Sequence, residues 1–97
     1  MRPPISVFRV VDRSMEPTLH SGDYVLANGW FGRLSQGDIV VLRHPARDIL
    51  MIKRVSKLLD GRCYVVGDNA GLSQDSRSFG AVDMSMVVGK VFFIAKR

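Results

Sequence analysis

Three short stretches of this 97-residue chain hold side chains in combinations that can do chemistry. The first is Arg13-Ser14-Met15-Glu16-Pro17-Thr18-Leu19, followed by Ser21-Gly22-Asp23. A serine just past a strand-like run and just before a proline turn can present its hydroxyl at a sheet edge. It can equally be a turn serine that satisfies local backbone groups. The second stretch is Met51-Ile52-Lys53-Arg54-Val55. Alternate strand residues share a face, so Lys53 lies with Met51 and Val55 on an apolar surface, opposite Ile52 and Arg54. Desolvation there disfavours the ammonium and lowers its pKa. At an ordinary pKa of about 10.4 a lysine is neutral in only about one molecule in 2,500 at pH 7, so a general-base lysine requires that depression. A pKa near 8 corresponds to roughly 3 kcal/mol of differential stabilisation. The bland alternative is a snorkelling lysine with a hydrated head group. The third stretch runs from Gly67 to Gly80 and contains Asp68, Asn69, Ser73, Asp75 and Arg77. An Arg–carboxylate pair can lock such a loop, and Gly67 and Gly71 permit close backbone approach. A surface loop closed by its own Asx turns is the alternative.

Short apolar runs separated by turn residues must position these groups, the pattern of an all-β domain. Strands are expected over Ile5–Val11, Tyr24–Ala27, Ile39–Leu42, Leu50–Leu59, Arg62–Val66 and Met86–Ala95. Asp60-Gly61 is a strong two-residue hairpin signal between the fourth and fifth of them. Residues 67–80 read as an ordered loop inside a compact domain, and loops of that length are often functional. No apolar period of 3.6 runs far enough for a substantial helix. The expected fold is all-β and mainly antiparallel, a twisted sheet curled into a partly closed, barrel-like core. The whole of 1–97 is read as one domain.

Composition narrows the function classes. Apolar residues make up 46% and charged residues 24%, an ordinary globular balance. The longest uncharged stretch, Tyr24 to Gly32, is nine residues, against about 20 for a spanning helix. Arg9, Asp12 and Arg13 follow the start too closely for a secretory apolar segment. Cys63 is alone, so neither an intrachain disulfide nor a cysteine-based metal site is expected. His20 and His44 are 24 residues apart and read as structural rather than catalytic. The net charge of +5 is concentrated beyond residue 50, where eight basic residues face four acidic ones. A basic β-barrel that binds nucleic acid is therefore permitted. Against it, acids are interleaved with the bases, and the eight aromatics form no stacking cluster. Trp30-Phe31 reads as core or loop anchor, and the Lys96-Arg97 tail as solvated or in contact with acidic lipids.

Taken together, the three stretches resemble the signal peptidase I family, the endopeptidases that use a Ser/Lys dyad. Ser14 to Leu19 with Gly22-Asp23 is similar to that family's first signature. Gly37-Asp38-Ile39-Val40 with Lys53-Arg54 is similar to its central one, and Gly67 to Arg77 with Gly80 to its last. The resemblance covers about residues 7 to 94. It implies a signal-peptidase-type β fold with Ser14 as nucleophile and Lys53 as general base. It also implies that Ser73 orients the lysine amine and that Asp75 and Arg77 form an ion pair beneath the site. Gly67 would bring the backbone close, Met15 would help line a shallow pocket for a small side chain, and the Ser14 N–H would donate to the oxyanion. An extended leader of a precursor polypeptide would pair with a strand edge. No cofactor is implied.

Asp12 departs from this pattern. It stands two residues before Ser14, where the family often has a serine that donates to the oxyanion or a glycine. A carboxylate cannot donate, so either another donor replaces it or Asp12 points away. The trimmed chain, without anchor or large insertion, resembles the maturation proteases of nickel-type superoxide dismutase, which implies a soluble, cytoplasmic enzyme. Nickel would belong to the substrate, not to this chain. The alternatives are a general leader peptidase acting at a membrane with a partner, a self-cleaving repressor domain, and a non-catalytic binding module. The repressor needs more chain upstream of its serine than the thirteen residues before Ser14.

Overall fold

A computed structural model describes residues 3–97; Met1 and Arg2, which head the stretch read above against a secretory leader, lie outside it. Among the described residues, seven strands are assigned: β1 (Ile5–Arg9), β2 (Tyr24–Asn28), β3 (Ile39–Arg43), β4 (Leu50–Leu59), β5 (Arg62–Val66), β6 (Val82–Asp83) and β7 (Val87–Ala95). They form one curled antiparallel sheet in the order β1-β2-β7-β3-β4-β5-β6. The all-β expectation agrees with this architecture. Asp60 and Gly61 both take positive φ, 52° and 75°, as a type I′ turn between twisted strands requires.

The sheet bends because its ladders slip. Register shifts fall between Leu26 and Ala27 opposite β7, between Val41 and Leu42 opposite β7, and between Val55 and Lys57 opposite β5. Each extra residue kinks its strand and increases the local twist. The bending leaves two apolar clusters. One gathers Leu34, Val40, Leu42, Met51, Val55, Cys63, Val65, Val82 and Val87. The other gathers Val10, Met15, Leu19, Val25, Ala27 and Val41. Strand β3 serves both, with Val40 and Leu42 facing one and Val41 the other.

Strand limits differ in places from the reading of the sequence. Strand β1 stops at Arg9 rather than Val11. The Val10 N–H still bonds the Asp23 carbonyl at 2.8 Å, but Val11 turns outward and the chain leaves the sheet toward Ser14. Strand β7 starts at Val87, because Asp83 accepts from the Ser85 N–H and closes Met84–Met86 into a tight turn. The two-residue β6, paired with Arg62 and Cys63, carries no periodic signal. The 67–80 segment contains a single turn at Ala70–Leu72 and a four-residue helix, α1 (Ser76–Phe79), capped by Asp75. The tail is not simply solvated. Lys96 bonds the Thr18 carbonyl and pairs with Asp23, and the Arg97 N–H donates to Asp23 at 3.0 Å. The Arg97 and His20 N–H groups hold the Asp23 carboxyl at a pKa of about 2. Trp30 is exposed, whereas Phe31 packs on the larger cluster.

Candidate active site

Lys53 sits on the buried face of β4, between Met51 and Val55. Its residue is only 3% exposed. Burial drives its pKa below the ordinary lysine value, with Arg77 acting the same way and Asp12 and Asp75 opposing. The amine donates to Ser73 Oγ at 3.1 Å, and that hydroxyl donates to Asp75 Oδ2 at 2.6 Å.

Asp75 is the hub of the segment behind the lysine. It is fully buried, and it accepts from the Gly67 N–H at 2.8 Å, from the Arg77 N–H at 3.1 Å and from the Arg77 guanidinium through both oxygens. Burial alone would raise its pKa. The bonds from Arg77, Ser73 and Gly67 outweigh burial and hold the carboxyl well below the usual carboxylate range. Arg77 also reaches the Gly67 carbonyl at 3.2 Å.

Gly67 has no room for a side chain. A Cβ there would lie 2.2 Å from Ser73 Oγ and 2.6 Å from the Ser14 carbonyl oxygen. The first neighbour is a movable hydroxyl, but the second is backbone of the serine turn. Asn69 closes the same contact, with its N–H on the Ser14 carbonyl at 2.8 Å and its side-chain amide on the Arg13 carbonyl at 3.1 Å. The loop thus joins the lysine and serine sides of the molecule.

Ser14 is 3% exposed and immediately precedes the core residue Met15. Ser14 and Lys53 line one cleft of about 210 Å³, together with Asp12, Leu50, Met51, Leu72 and Gln74. The Ser14 hydroxyl donates to Asp12 Oδ1 at 2.9 Å, and the Ser14 N–H donates to the same oxygen at 3.1 Å. Asp12 therefore does not point away: it turns in onto Ser14. Met15 is placed away from the cleft, 1% exposed in the smaller apolar cluster. Ile49, Leu50 and Met51 form the apolar wall instead.

Several contributors were not legible in the sequence. His44 and Arg47 line the cleft from the turn after β3. His44 is engaged structurally: Nδ1 accepts from the Ala46 and Arg47 N–H groups at 3.0 and 3.1 Å, and its ring meets Phe79 edge-on. His20 lies in a different depression, beside Pro17 and Lys96. Arg54 makes a two-pronged bond to Asp68, at 2.9 and 2.8 Å, which ties β4 to the loop on the opposite face from Lys53. The Lys-Arg adjacency in sequence was the only available signal for it. Among the described residues no cluster of His, Cys, Asp or Glu is arranged to hold a metal ion, and no helix is long and apolar enough to cross a membrane.

Chemically, an amine of lowered pKa and a serine hydroxyl in one cleft have the properties of a base and a nucleophile. A small cavity of about 70 Å³ shares Asp12, Leu50 and Met51 with that cleft and is bounded further by Phe8, Arg9, Val41 and Ile52, a mixed polar and apolar lining. A family model described as signal peptidase, peptidase S26, matches residues 4–58 and 56–96. The chain is 33% identical over 113 aligned positions to the mitochondrial ATP-independent inner membrane protease subunit 1a of Arabidopsis thaliana, a match covering 89% of this chain and 67% of that protein. It is 37% identical over 59 positions to signal peptidase IB of Staphylococcus aureus, covering 60% of this chain but 31% of that enzyme.

Proposed function

The chain belongs to the signal peptidase family, peptidase S26, and from that premise we propose that it is a serine endopeptidase that removes an N-terminal leader with Ser14 as nucleophile and Lys53 as base. One observation carries the reading: a buried lysine with a lowered pKa shares a cleft with a buried serine and is held by a third side chain, Ser73.

In the acylation step Ser14 Oγ bonds to the scissile carbonyl carbon, and its proton passes to neutral Lys53. The carbonyl oxygen takes up the negative charge and needs N–H donors. Collapse breaks the C–N bond, and the leaving amine takes the proton from the Lys53 ammonium. Water, deprotonated by the neutral lysine, then cleaves the ester and restores Ser14. Ser73 supports this chemistry by fixing the amine, and Asp75 with Arg77 by fixing Ser73. Gly67 supports it by letting the loop backbone lie against the serine turn.

Strand β1 is an edge of the sheet, and an extended leader adds to an open edge through main-chain bonds. The 70 Å³ cavity has the size for a small side chain beside the cleaved bond. The substrate proposed is the precursor of a nickel-type superoxide dismutase, met in the cytoplasm. The Arabidopsis relative is named an inner membrane protease subunit, which favours a second reading: leaders presented at a membrane, with a partner.

Intact-mass spectrometry of the nickel superoxide dismutase precursor, incubated with the parent chain, Ser14→Ala or Lys53→Ala, tests the proposal. Leader loss with the parent and a fall of about 10⁴ in rate with either variant is expected. Equal cleavage by either variant overturns the dyad. Cleavage confined to a vesicle-inserted signal-peptide precursor moves the substrate to the membrane reading.

A further inference from the structure

The Asp12 carboxylate stands where the reaction needs empty space. Its Oδ1 accepts from the Ser14 N–H and from the Ser14 hydroxyl, at 3.1 and 2.9 Å. Resting on the peptidase reading, both donors have other duties: the N–H must meet the oxyanion, and the hydroxyl proton must pass to Lys53. We propose that Asp12 is an internal stand-in for the oxyanion, a positioning residue that masks Ser14 in the free enzyme and is displaced by the carbonyl oxygen of the entering substrate.

An aspartate bonded to the N–H two residues on is a common turn device. Two features set this one apart. Both donors it engages belong to the serine that lines the cleft, and Asp12 lines that cleft itself. A carboxylate oxygen about 3 Å from an N–H has the charge and position of a tetrahedral oxyanion, so substrate and Asp12 compete for one donor. Asp12 is exposed and its neighbour Arg13 is paired with Glu16. The side chain can therefore swing outward and be rehydrated without breaking the core.

The charge also reaches the base. Asp12 and Asp75 favour the charged form of Lys53, while burial and Arg77 favour the neutral one. His44 and Arg47 face the same cleft from the turn after β3. Removing the Asp12 charge leaves burial less opposed, so Lys53 becomes neutral at a lower pH.

The test uses the full chain with Asp12→Ser and Asp12→Asn, each checked for fold by circular dichroism. Two quantities are read: kcat/KM on the nickel superoxide dismutase precursor across a pH series, and the titration midpoint of the Lys53 side chain by NMR. Asp12→Ser is expected to raise kcat/KM by about tenfold or more, since it frees one oxyanion donor and adds another. Its acid limb and the Lys53 midpoint should both fall by about half a pH unit or more. Asp12→Asn should lower the midpoint similarly but accelerate less, because its amide oxygen still accepts from the Ser14 N–H. Parent-like rate and midpoint in both variants overturns the inference while leaving the peptidase standing. Loss of cleavage in Asp12→Ser also overturns it, and makes Asp12 a required group. If neither parent nor variants cleave this precursor, the substrate reading fails, and the Lys53 midpoint decides: lowered in Asp12→Asn supports the masking charge, unchanged overturns it.

Discussion

The lysine side of the cleft is a relay between residues far apart in the chain, from Lys53 to Ser73 to Asp75 and on to Gly67 and Arg77. The serine side is tied to its own neighbour, two positions back, through Asp12. The relay behind the lysine centres on buried Asp75 and Gly67, with Ser73 half-buried between them and the amine, whereas the serine's partner is exposed to solvent. In the proposed roles, a base has to keep one orientation and a depressed pKa throughout turnover, which anchoring from several directions serves, and a nucleophile has to change partners, which a local, water-facing tether allows.

The largest test of that contrast is Asp75→Ala. It strips the buried partner from Ser73, Arg77 and the Gly67 N–H, with an expected loss of about 3 kcal/mol in denaturant unfolding and of about 10³ in kcat/KM. Parent-like cleavage would show that the lysine needs no tertiary relay. The gentler Asp75→Asn reads the same contact through pH. A carboxyl whose folded pKa is depressed stabilises above its unfolded value, 3.8, and that stabilisation is lost as pH falls through the folded value. The stability gap between parent and Asp75→Asn should therefore narrow as the solution is acidified below that point.

Gly67→Ala comes next. Its methyl would strike the Ser14 carbonyl and the Ser73 hydroxyl, pushing the two sides apart, and a misplacement of this kind costs about 10² in kcat. Ser73→Ala should lower kcat about tenfold with KM little changed, because it frees the amine without touching substrate contacts, while stability shifts by about 1 kcal/mol. The parent's rate itself should rise with pH through a single ionisation below the ordinary lysine value of 10.5, since the base works only when neutral. Arg54→Ala is the smallest effect. Its pair with Asp68 is partly solvated, so a loss of about 1 kcal/mol is expected, with kcat within about threefold of the parent.

Much of this frame was legible along the chain. Alternation placed Lys53 with Met51 and Val55 on the buried face of β4, and Asp60-Gly61 located the hairpin that returns it. Leu50–Leu59 and Arg62–Val66 match the expected strands residue for residue. The misses share a cause. Strand β6 and the turn at Met84–Met86 are too short for any period to register, and the true end of β1 depends on where Asp23 lies. The C-terminal tail looked free because nothing near it in sequence marks Asp23 as buried.

Residue types and spacing alone determined the all-β architecture and the buried face of the lysine strand, because these depend on two-residue periodicity and local turn geometry. The choice of Ser14 and Lys53 for chemistry came from the resemblance to a family. Only the tertiary structure decided that Met15 belongs to the core, that Leu50 and Met51 wall the cleft, and that Asp12 turns inward onto Ser14 rather than away. Those outcomes depend on which surfaces meet when the sheet curls, and on a choice of side-chain rotamer that neighbours in space make and neighbours in sequence do not.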